Sequence, residues 1–263
     1  MARAIYGGLL GNGFLVSNIW VIDPSPAAQD SARQAGIEQV FESAPGEALS
    51  ADLIVLAIKP QITQAALEPL KGRLGPKSFV LSIIAGINAA SLASLLGLSD
   101  SNSIIRCMPN TPALVSEGMT GLHANSNAES AKGRALAEQV MASVGQCVWV
   151  DKESDLDVIT AISGSGPAYF FLFIESLTEA AIALGMDSER ARKLALQTAL
   201  GASRLASISD EDAATLRKNV TSPGGTTERA IQTFEASDIR GIVAQATQAA
   251  ALRSIELSEE FGA

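Results

Sequence analysis

The chain has 263 residues, of which 47% are hydrophobic and 18% are charged, a balance typical of a folded globular protein. Its formal net charge of −9 argues against nucleic acid or an anionic membrane as a partner, because such partners require clustered lysine and arginine. A single histidine disfavours a metal site, and two cysteines in apolar runs indicate buried thiols in a reducing cytoplasm.

Short apolar runs separated by helical segments make up the first part of the chain. A helix is predicted over 2–10, in which Gly7 and Gly8 allow close packing, and another over 61–74. His123 is expected to be an ordinary strand residue. The predicted strands are 19–22, 53–58, 79–84, 103–108 and 147–150. This alternation predicts a parallel sheet with helices on both faces, of the Rossmann type, whose strand ends line a ligand crevice.

One expected part of such a sheet is not found in the sequence. A Rossmann-type sheet opens with a strand and a Gly-x-Gly-x-x-Gly turn, which contacts a pyrophosphate at a helix N-terminus. Here the first residues are already helical. The glycines at 7–13 lie at the wrong end of that helix and follow no strand, so we reject them as the dinucleotide-binding motif.

The second part, from 154 onward, is predicted to be helical throughout. The stretch Ser163–Tyr169 (Ser-Gly-Ser-Gly-Pro-Ala-Tyr) is not compatible with ordinary helix interior, because of its glycines and proline. The apolar helix that follows, over 168–184, calls for burial on all sides, so we expect a partner subunit to complete its core. The run 168–183 is shorter than a membrane-spanning helix, and no signal peptide is apparent, so we expect a cytoplasmic protein without a membrane segment.

Four motifs together resemble the pyrroline-5-carboxylate reductase family. They are Ala57–Pro60, Arg106–Pro112, Ser163–Tyr169 and Ser222–Thr227. The resemblance implies a Rossmann-type dinucleotide-binding domain over 1–151 and an all-helical dimerisation and substrate domain over 152–263. It also implies a homodimer that assembles further into decamers. The activity implied is reduction of 1-pyrroline-5-carboxylate to L-proline, by hydride transfer from NADPH or NADH to the C=N carbon.

The resemblance also assigns residues to the cofactor. Those expected to contact it are Asp23, Ser25, Ala57, Ile58, Lys59, Pro60, Ile83, Ile84 and Ala85. Asp23 suits a ribose 2′-hydroxyl and repels a 2′-phosphate, which favours NADH, whereas Ser25 can bind that phosphate. The choice of nicotinamide therefore stays open. Ala44 occupies a position where the family has an asparagine near the adenosine.

A second set of residues is assigned to the substrate. These are Glu153, Asn219, Ser222, Gly224, Gly225, Thr226 and Thr227. A Pro-Gly-Gly turn before a helix supplies backbone donors and hydroxyls for a carboxylate, although the same turn can serve only as a helix cap. Thr227 is the predicted catalytic residue, bonding the ring nitrogen or relaying a proton, and a water molecule is an equal candidate for the proton. Thr160 is either a further site residue or a plain helix-face threonine.

Compared with the family pattern, the chain lacks the first strand and the glycine-rich turn. We expect Met1 to correspond to an internal position of the family, with about ten residues preceding it in a full Rossmann unit. An exposed position in the sheet and weak NAD(P)H binding are then expected.

Two other functions share features with this sequence. A β-hydroxyacid dehydrogenase would need a lysine and an asparagine where this chain has Phe170 and Phe173, so it lacks the base for an alcohol proton. A non-catalytic dimeric binding protein with a degraded Rossmann cofactor site is the remaining alternative. The intact substrate motifs of the second part argue against it.

Overall fold

A computed structural model of the chain describes residues 1–99, 103–124 and 131–261. Strands and helices alternate through the first part, which confirms the predicted α/β class. The strands are β1 (Trp20–Ile22), β2 (Gln39–Phe41), β3 (Leu53–Leu56), β4 (Phe79–Ser82), β5 (Ser103–Met108), β6 (Gly118–Ala124) and β7 (Gly145–Trp149). The helices are α1 (Ala2–Gly11), α2 (Pro26–Gln34), α3 (Thr63–Leu67), α4 (Ala89–Leu96) and α5 (Ala131–Ala142).

The strands form two separate sheets. β1 and β2 pair in parallel, and β3 to β7 form a five-stranded sheet in chain order. A Rossmann sheet has the strand order 3-2-1-4-5-6. In that order, the strands on either side of strand 1 form one pair and one larger group, which is the division seen here.

One strand of the larger sheet is antiparallel to its neighbour. β6 runs against β5, with Arg106 opposite His123, while every other pairing in the two sheets is parallel. The connection 109–117 is shorter than the dozen or more residues that a parallel crossover needs. The expected parallel sheet therefore contains one reversed strand. His123 is a strand residue, as predicted, and its Nδ1 lies 3.3 Å from the carbonyl oxygen of Val150.

Apolar side chains cover the larger sheet on both faces. One cluster joins α1 and α5 to the sheet and includes Ile5, Leu81 and Met141. The other packs α4 against the opposite face through Val80 and Leu92, together with a larger group of apolar side chains. Each fully buried side chain of this size stabilises the fold by about 1.5–3 kcal/mol.

Only one of the two adjacent glycines in α1 makes a close contact. A β-carbon at Gly8 would lie 2.5 Å from the carbonyl oxygen of Ser143 and 2.6 Å from Val144, whereas one at Gly7 would meet nothing within 4 Å. The predicted close packing is therefore correct for Gly8 and wrong for Gly7, because Gly7 lies on the exposed side of the helix.

The remainder of the chain is helical, as predicted. Its helices are α6 (Asp155–Ile159), α7 (Gly166–Ala183), α8 (Ser188–Ile208), α9 (Ala213–Asn219), α10 (Thr226–Ala236) and α11 (Ile239–Phe261). The chain divides into two compact units, one of Met1–Ser165 with Ala249–Ala263 and one of Gly166–Gln248. The end of α11 therefore belongs to the first unit, where the Ser254 hydroxyl donates to Asp157 at 2.7 Å.

The Ser-Gly-Ser-Gly-Pro stretch contains a π-helical turn. Residues Thr160–Gly164 form it, and the Ser165 amide donates to the Thr160 carbonyl, five residues back, at 2.8 Å. Pro167 then lies in the first turn of α7, where a helix needs no N–H. The stretch is thus not ordinary helix, as predicted, and π turns of this kind are frequent at functional sites.

The π turn lengthens the apolar helix beyond the run expected from the sequence. Within the described residues, one helical run, Asp155–Ala183, has 29 residues and is apolar enough to cross a membrane by length and composition. The sequence predicts only 168–183, because it treats the glycines and the proline as a break. A helix that packs against another protein chain can have the same length and composition.

Candidate active site

The ends of β3 and β4 bring two groups of predicted cofactor residues to one edge. The two strands are parallel neighbours, with Leu56 opposite Ser82, so residues 57–60 and 83–85 leave the sheet side by side. The Ile83 amide donates to the Leu56 carbonyl at 3.2 Å and extends this pairing. Lys59 is exposed, and its carbonyl oxygen accepts the Thr63 hydroxyl at 3.1 Å.

Among these residues, Ile84 is the most buried. Its side chain is 1% exposed and packs in the core, and its amide donates to the Ser82 hydroxyl at 3.2 Å. Its side chain therefore supports the strand end, and its contact with a cofactor stays a prediction.

Asp23 and Ser25 lie at the end of β1, in the smaller sheet. The Asp23 amide donates to the Phe41 carbonyl at 3.0 Å, which continues the strand pairing. Its Oδ1 accepts the Ser25 amide at 2.9 Å, and Ser25 precedes α2. Asp23 is half-buried and Ser25 is exposed. This arrangement holds one carboxylate at a strand end, as ribose recognition requires.

Glu153 is held by two donors from different elements. Its Oε1 accepts Nη1 of Arg106 on β5 at 3.0 Å and the amide of Ala89, the first residue of α4, at 2.7 Å. Arg106 is buried and Glu153 is partly exposed. The sequence did not assign Arg106 a role, although a single charged residue within the apolar strand Ser103–Met108 is the signal that marks it.

Asn110 connects the Arg106–Pro112 motif to the π turn. Its Nδ2 donates to the Ser163 carbonyl at 3.0 Å, and its Oδ1 accepts the Met119 amide at 2.9 Å. Only 8% of Asn110 is exposed, so both bonds are protected from water. Thr160, in the same turn, donates its hydroxyl to the Leu156 carbonyl at 2.7 Å, the bond expected of a helix-face threonine.

The second unit contains the Ser222–Thr227 turn. Gly224 has a φ of +72°, which favours glycine, and the Gly225 amide donates to the Ser222 carbonyl at 3.0 Å. Gly225 is the N-cap of α10, so Thr226 and Thr227 occupy its first two positions and are exposed. Glu228 reaches back to accept the Gly224 amide at 2.8 Å. The turn is therefore a capped helix start whose threonine hydroxyls remain accessible.

Asn219 ends α9, the helix before this turn. Its Nδ2 donates to Glu211 at 2.9 Å, which directs the amide toward the start of α9. A surface cavity of about 430 Å³ lies beside α9 and is lined by Ala214, Thr215, Arg217, Lys218, Thr221 and Ile231. None of the predicted substrate residues lines it, so we do not take it as the substrate pocket.

The residues predicted to bind the cofactor and the substrate are divided between the two units. The cofactor residues and Glu153 belong to the first unit, and Asn219 and Ser222–Thr227 belong to the second. Within the described residues, no group of three or more histidine, cysteine, aspartate or glutamate side chains is placed to hold a metal ion.

Two family models match parts of the chain. Residues 153–257 match the model described as pyrroline-5-carboxylate reductase dimerisation. Residues 1–86 match the model described as NADP oxidoreductase, coenzyme F420-dependent. The first match includes Glu153 and the whole Ser222–Thr227 turn.

Individual proteins match over nearly the whole chain. A pyrroline-5-carboxylate reductase of Pseudomonas aeruginosa is 43% identical, over 100% of this chain and 95% of its own length. The structure of a pyrroline-5-carboxylate reductase from Coxiella burnetii has a TM-score of 0.91 at 40% identity, and covers 98% of this chain and 94% of that one. That of the Plasmodium falciparum enzyme with NADP bound has a TM-score of 0.83 at 31% identity, with the same coverage. Given this identity along its full length, the chain belongs to the pyrroline-5-carboxylate reductase family.

Proposed function

We propose that this chain reduces 1-pyrroline-5-carboxylate to L-proline, with NADPH or NADH as the hydride donor. The observation that supports this most strongly is the turn Ser222–Gly225, which opens α10 with the exposed hydroxyls of Thr226 and Thr227. A helix N-terminus with accessible hydroxyls suits a substrate carboxylate. Relatives named for this activity match the whole length of the chain, which argues against the non-catalytic alternative.

The residues of the first unit fit a nicotinamide cofactor at two places. Residues 57–60 and 83–85 leave adjacent parallel strands at one edge, the position where α/β sheets bind ligands. Asp23 presents a carboxylate at the end of β1 for a ribose. The bound cofactor would supply the hydride. The preference between NADPH and NADH stays a prediction.

We assign the substrate as follows. The first amides of α10 and the hydroxyls of Ser222 and Thr226 hold the carboxylate. The Thr227 hydroxyl bonds the ring nitrogen or relays a proton to it, and a water molecule is an equal candidate for supplying this proton. Asn219, at the end of α9, is a further proposed contact of the substrate. Glu153 accepts the single N–H of the protonated ring nitrogen, so the Thr227 hydroxyl bonds the lone pair that forms on this nitrogen as the imine is reduced. If the imine arrives protonated, little acid–base chemistry is needed, and the chain contributes chiefly by positioning.

We further propose that a second copy of this chain covers α7, giving a homodimer that assembles into decamers. In the single chain, Phe170, Phe171 and Leu172 are 65%, 64% and 62% exposed, and three consecutive large apolar residues in water are a strong signal of an interface. The matching family model of 153–257 is described as a dimerisation domain. This occupant, rather than a membrane, explains the apolar length of the helix.

We place the protein in the cytoplasm and retain 1–151 and 152–263 as its functional domains. Cys107 and Cys147 are both free thiols, as expected in a reducing compartment. Burial raises the pKa of the Cys107 thiol far above its usual range, so this group stays protonated.

The test is reduction of 1-pyrroline-5-carboxylate by the purified chain, followed at the absorbance of NAD(P)H. We expect oxidation of the nicotinamide that depends on the imine and yields proline. Nucleotide binding without turnover in the presence of the imine would instead favour the non-catalytic alternative.

A further inference from the structure

Arg106 is a buried cation at the centre of the first unit. Its side chain is 8% exposed, on a strand whose neighbouring residues are apolar. Its Nε is enclosed and has no hydrogen-bond partner among the residues that the structure describes. Burying a guanidinium with an unpaired N–H is unfavourable, and a well-packed apolar side chain often stabilises a core as well as a buried ion pair does. Stability alone therefore does not account for an arginine at this position.

The partner of Arg106 is bound in an asymmetric way. Both Arg106 Nη1 and the Ala89 amide donate to Oε1 of Glu153, at 3.0 Å and 2.7 Å. Neither contact uses Oε2. The Glu153 side chain is 31% exposed, so the carboxylate is anchored on its buried side and open on the other.

The Ala89 donor is itself fixed by the start of a helix. Ala89 is the first residue of α4, and the N-cap Asn88 accepts the Ser91 amide at 2.8 Å. The N-terminus of a helix favours a negative charge, and so does a neighbouring guanidinium. Two independent elements, β5 and α4, therefore hold one oxygen of Glu153 in place.

We propose that Arg106, acting with the Ala89 amide, is a positioning residue for the reaction: it anchors Glu153 through Oε1 so that Oε2 accepts the N–H of the protonated substrate imine. This rests on the proposed function. Hydride addition forms the C–H bond at the imine carbon, and the C=N π electrons become the nitrogen lone pair. The amine then takes a proton from solvent, so no protein group needs to lose one. A carboxylate rotated away from the nitrogen would bind the cationic substrate less well.

The first test uses Arg106→Met, Arg106→Lys and Glu153→Gln in the full chain. We expect Arg106→Met to raise KM for the imine about 10- to 100-fold, the range for losing a hydrogen bond to a charged group, while KM for the nicotinamide is unchanged. Arg106→Lys keeps a cation and should recover part of the loss. In a double-mutant cycle, Glu153→Gln should add little once Arg106 is replaced. Calorimetry measures the binding of L-proline without turnover. The affinity for L-proline should fall more in Arg106→Met than in Arg106→Lys.

The second test removes the other donor and leaves Arg106 intact. Ala89→Pro deletes only an N–H at a first helical position, where proline is accepted, and the preceding Asn88 has an extended backbone that suits it. Ser188→Pro is the matched control, because Ser188 is the first residue of α8 after an extended Asp187. We expect Ala89→Pro to raise KM for the imine and Ser188→Pro to leave it unchanged.

The outcomes separate this role from the proposed function. An active wild-type chain whose Arg106→Met and Ala89→Pro variants retain KM for the imine would overturn the positioning role alone, and so would additive effects in the cycle. A wild-type chain without imine-dependent turnover would overturn the proposed function, and this role with it. If Arg106→Met does not fold, Arg106→Lys, Glu153→Gln and Ala89→Pro still decide the matter.

Discussion

Thr227 is the residue whose replacement tests the proposed chemistry most directly. We expect Thr227→Ala to lower kcat/KM for the imine about 10- to 100-fold, because a hydrogen bond made to the reacting nitrogen is lost. Thr233→Ala, on the same helix, is the control, since the Thr233 hydroxyl donates only to the Arg229 carbonyl at 3.1 Å. Equal kcat/KM in the Thr227 variant and wild type would remove Thr227 from the mechanism.

Two adjacent glycines in α1 should respond in opposite directions. Gly8→Ala forces a β-carbon against the Ser143 carbonyl, and we expect the free energy of unfolding to fall by about 1–3 kcal/mol. Gly7→Ala has open space and should stabilise the helix by up to about 1 kcal/mol. Thermal unfolding of both variants measures this, and a Gly8 variant as stable as wild type would contradict the close packing.

At the residue scale, sequence motifs predict which polar residues belong to a site, but they do not predict the hydrogen-bond partners of those residues. Glu153 follows from the family resemblance, whereas its donors lie 47 and 64 residues away along the chain. Ile84 shows the converse limit. A strand-end isoleucine is equally compatible with a ligand contact and with the core, and here the core buries it. Only the packed fold decides such cases.

Asn110 joins two elements that are distant in the sequence, β6 and the π turn. We expect Asn110→Ala to lower the free energy of unfolding by about 1–3 kcal/mol, because the partly buried Ser163 carbonyl and Met119 amide lose their partner. Ser207→Ala, which removes only an exposed bond to the Arg204 carbonyl, should change it by less than about 0.5 kcal/mol. Urea unfolding at one fixed protein concentration provides the comparison, and a similar loss in both variants would refute the assigned link.

At the element scale, strong periodic or apolar segments were predictable and short or interrupted ones were not. β5 has the predicted bounds, and α1 differs by one residue. β2 has only three residues, too few to show an alternating pattern, and it was missed. The helix predicted over 61–74 is broken into α3 and flanking 3₁₀ turns, since Pro60 and Pro69 begin those turns. The reversal of β6 depends on a short connection, which hydrophobicity does not encode.

For the whole molecule, the proposed dimer gives a clear prediction. We expect light scattering to give the wild-type chain a mass of at least twice that of the monomer. Phe171→Asp should reduce this mass to that of the monomer, because a charge would be buried in an apolar interface. Leu15→Asp is the control, as Leu15 is equally exposed but lies in the first unit. A monomeric wild type, or one recovered only in detergent, would contradict the proposed covering of α7.

The division of the strands between two sheets is a property of the whole molecule. β1 and β3 belong to different sheets, although the alternation of strands and helices in the sequence predicts one. The sequence did not indicate that apolar packing of α1 and α5 would still hold the first unit together.

The return of α11 to the first unit constrains how the protein is made. Ala249–Ala263 completes that unit, and Phe261 packs against the cluster around Leu92. A ribosome adds about 5–20 residues per second from the N-terminus, so this part emerges after Gly166–Gln248. One apolar face of the first unit therefore stays incompletely covered while Gly166–Gln248 is being synthesised. The unit whose translation begins first therefore cannot complete its core until the second unit has been translated.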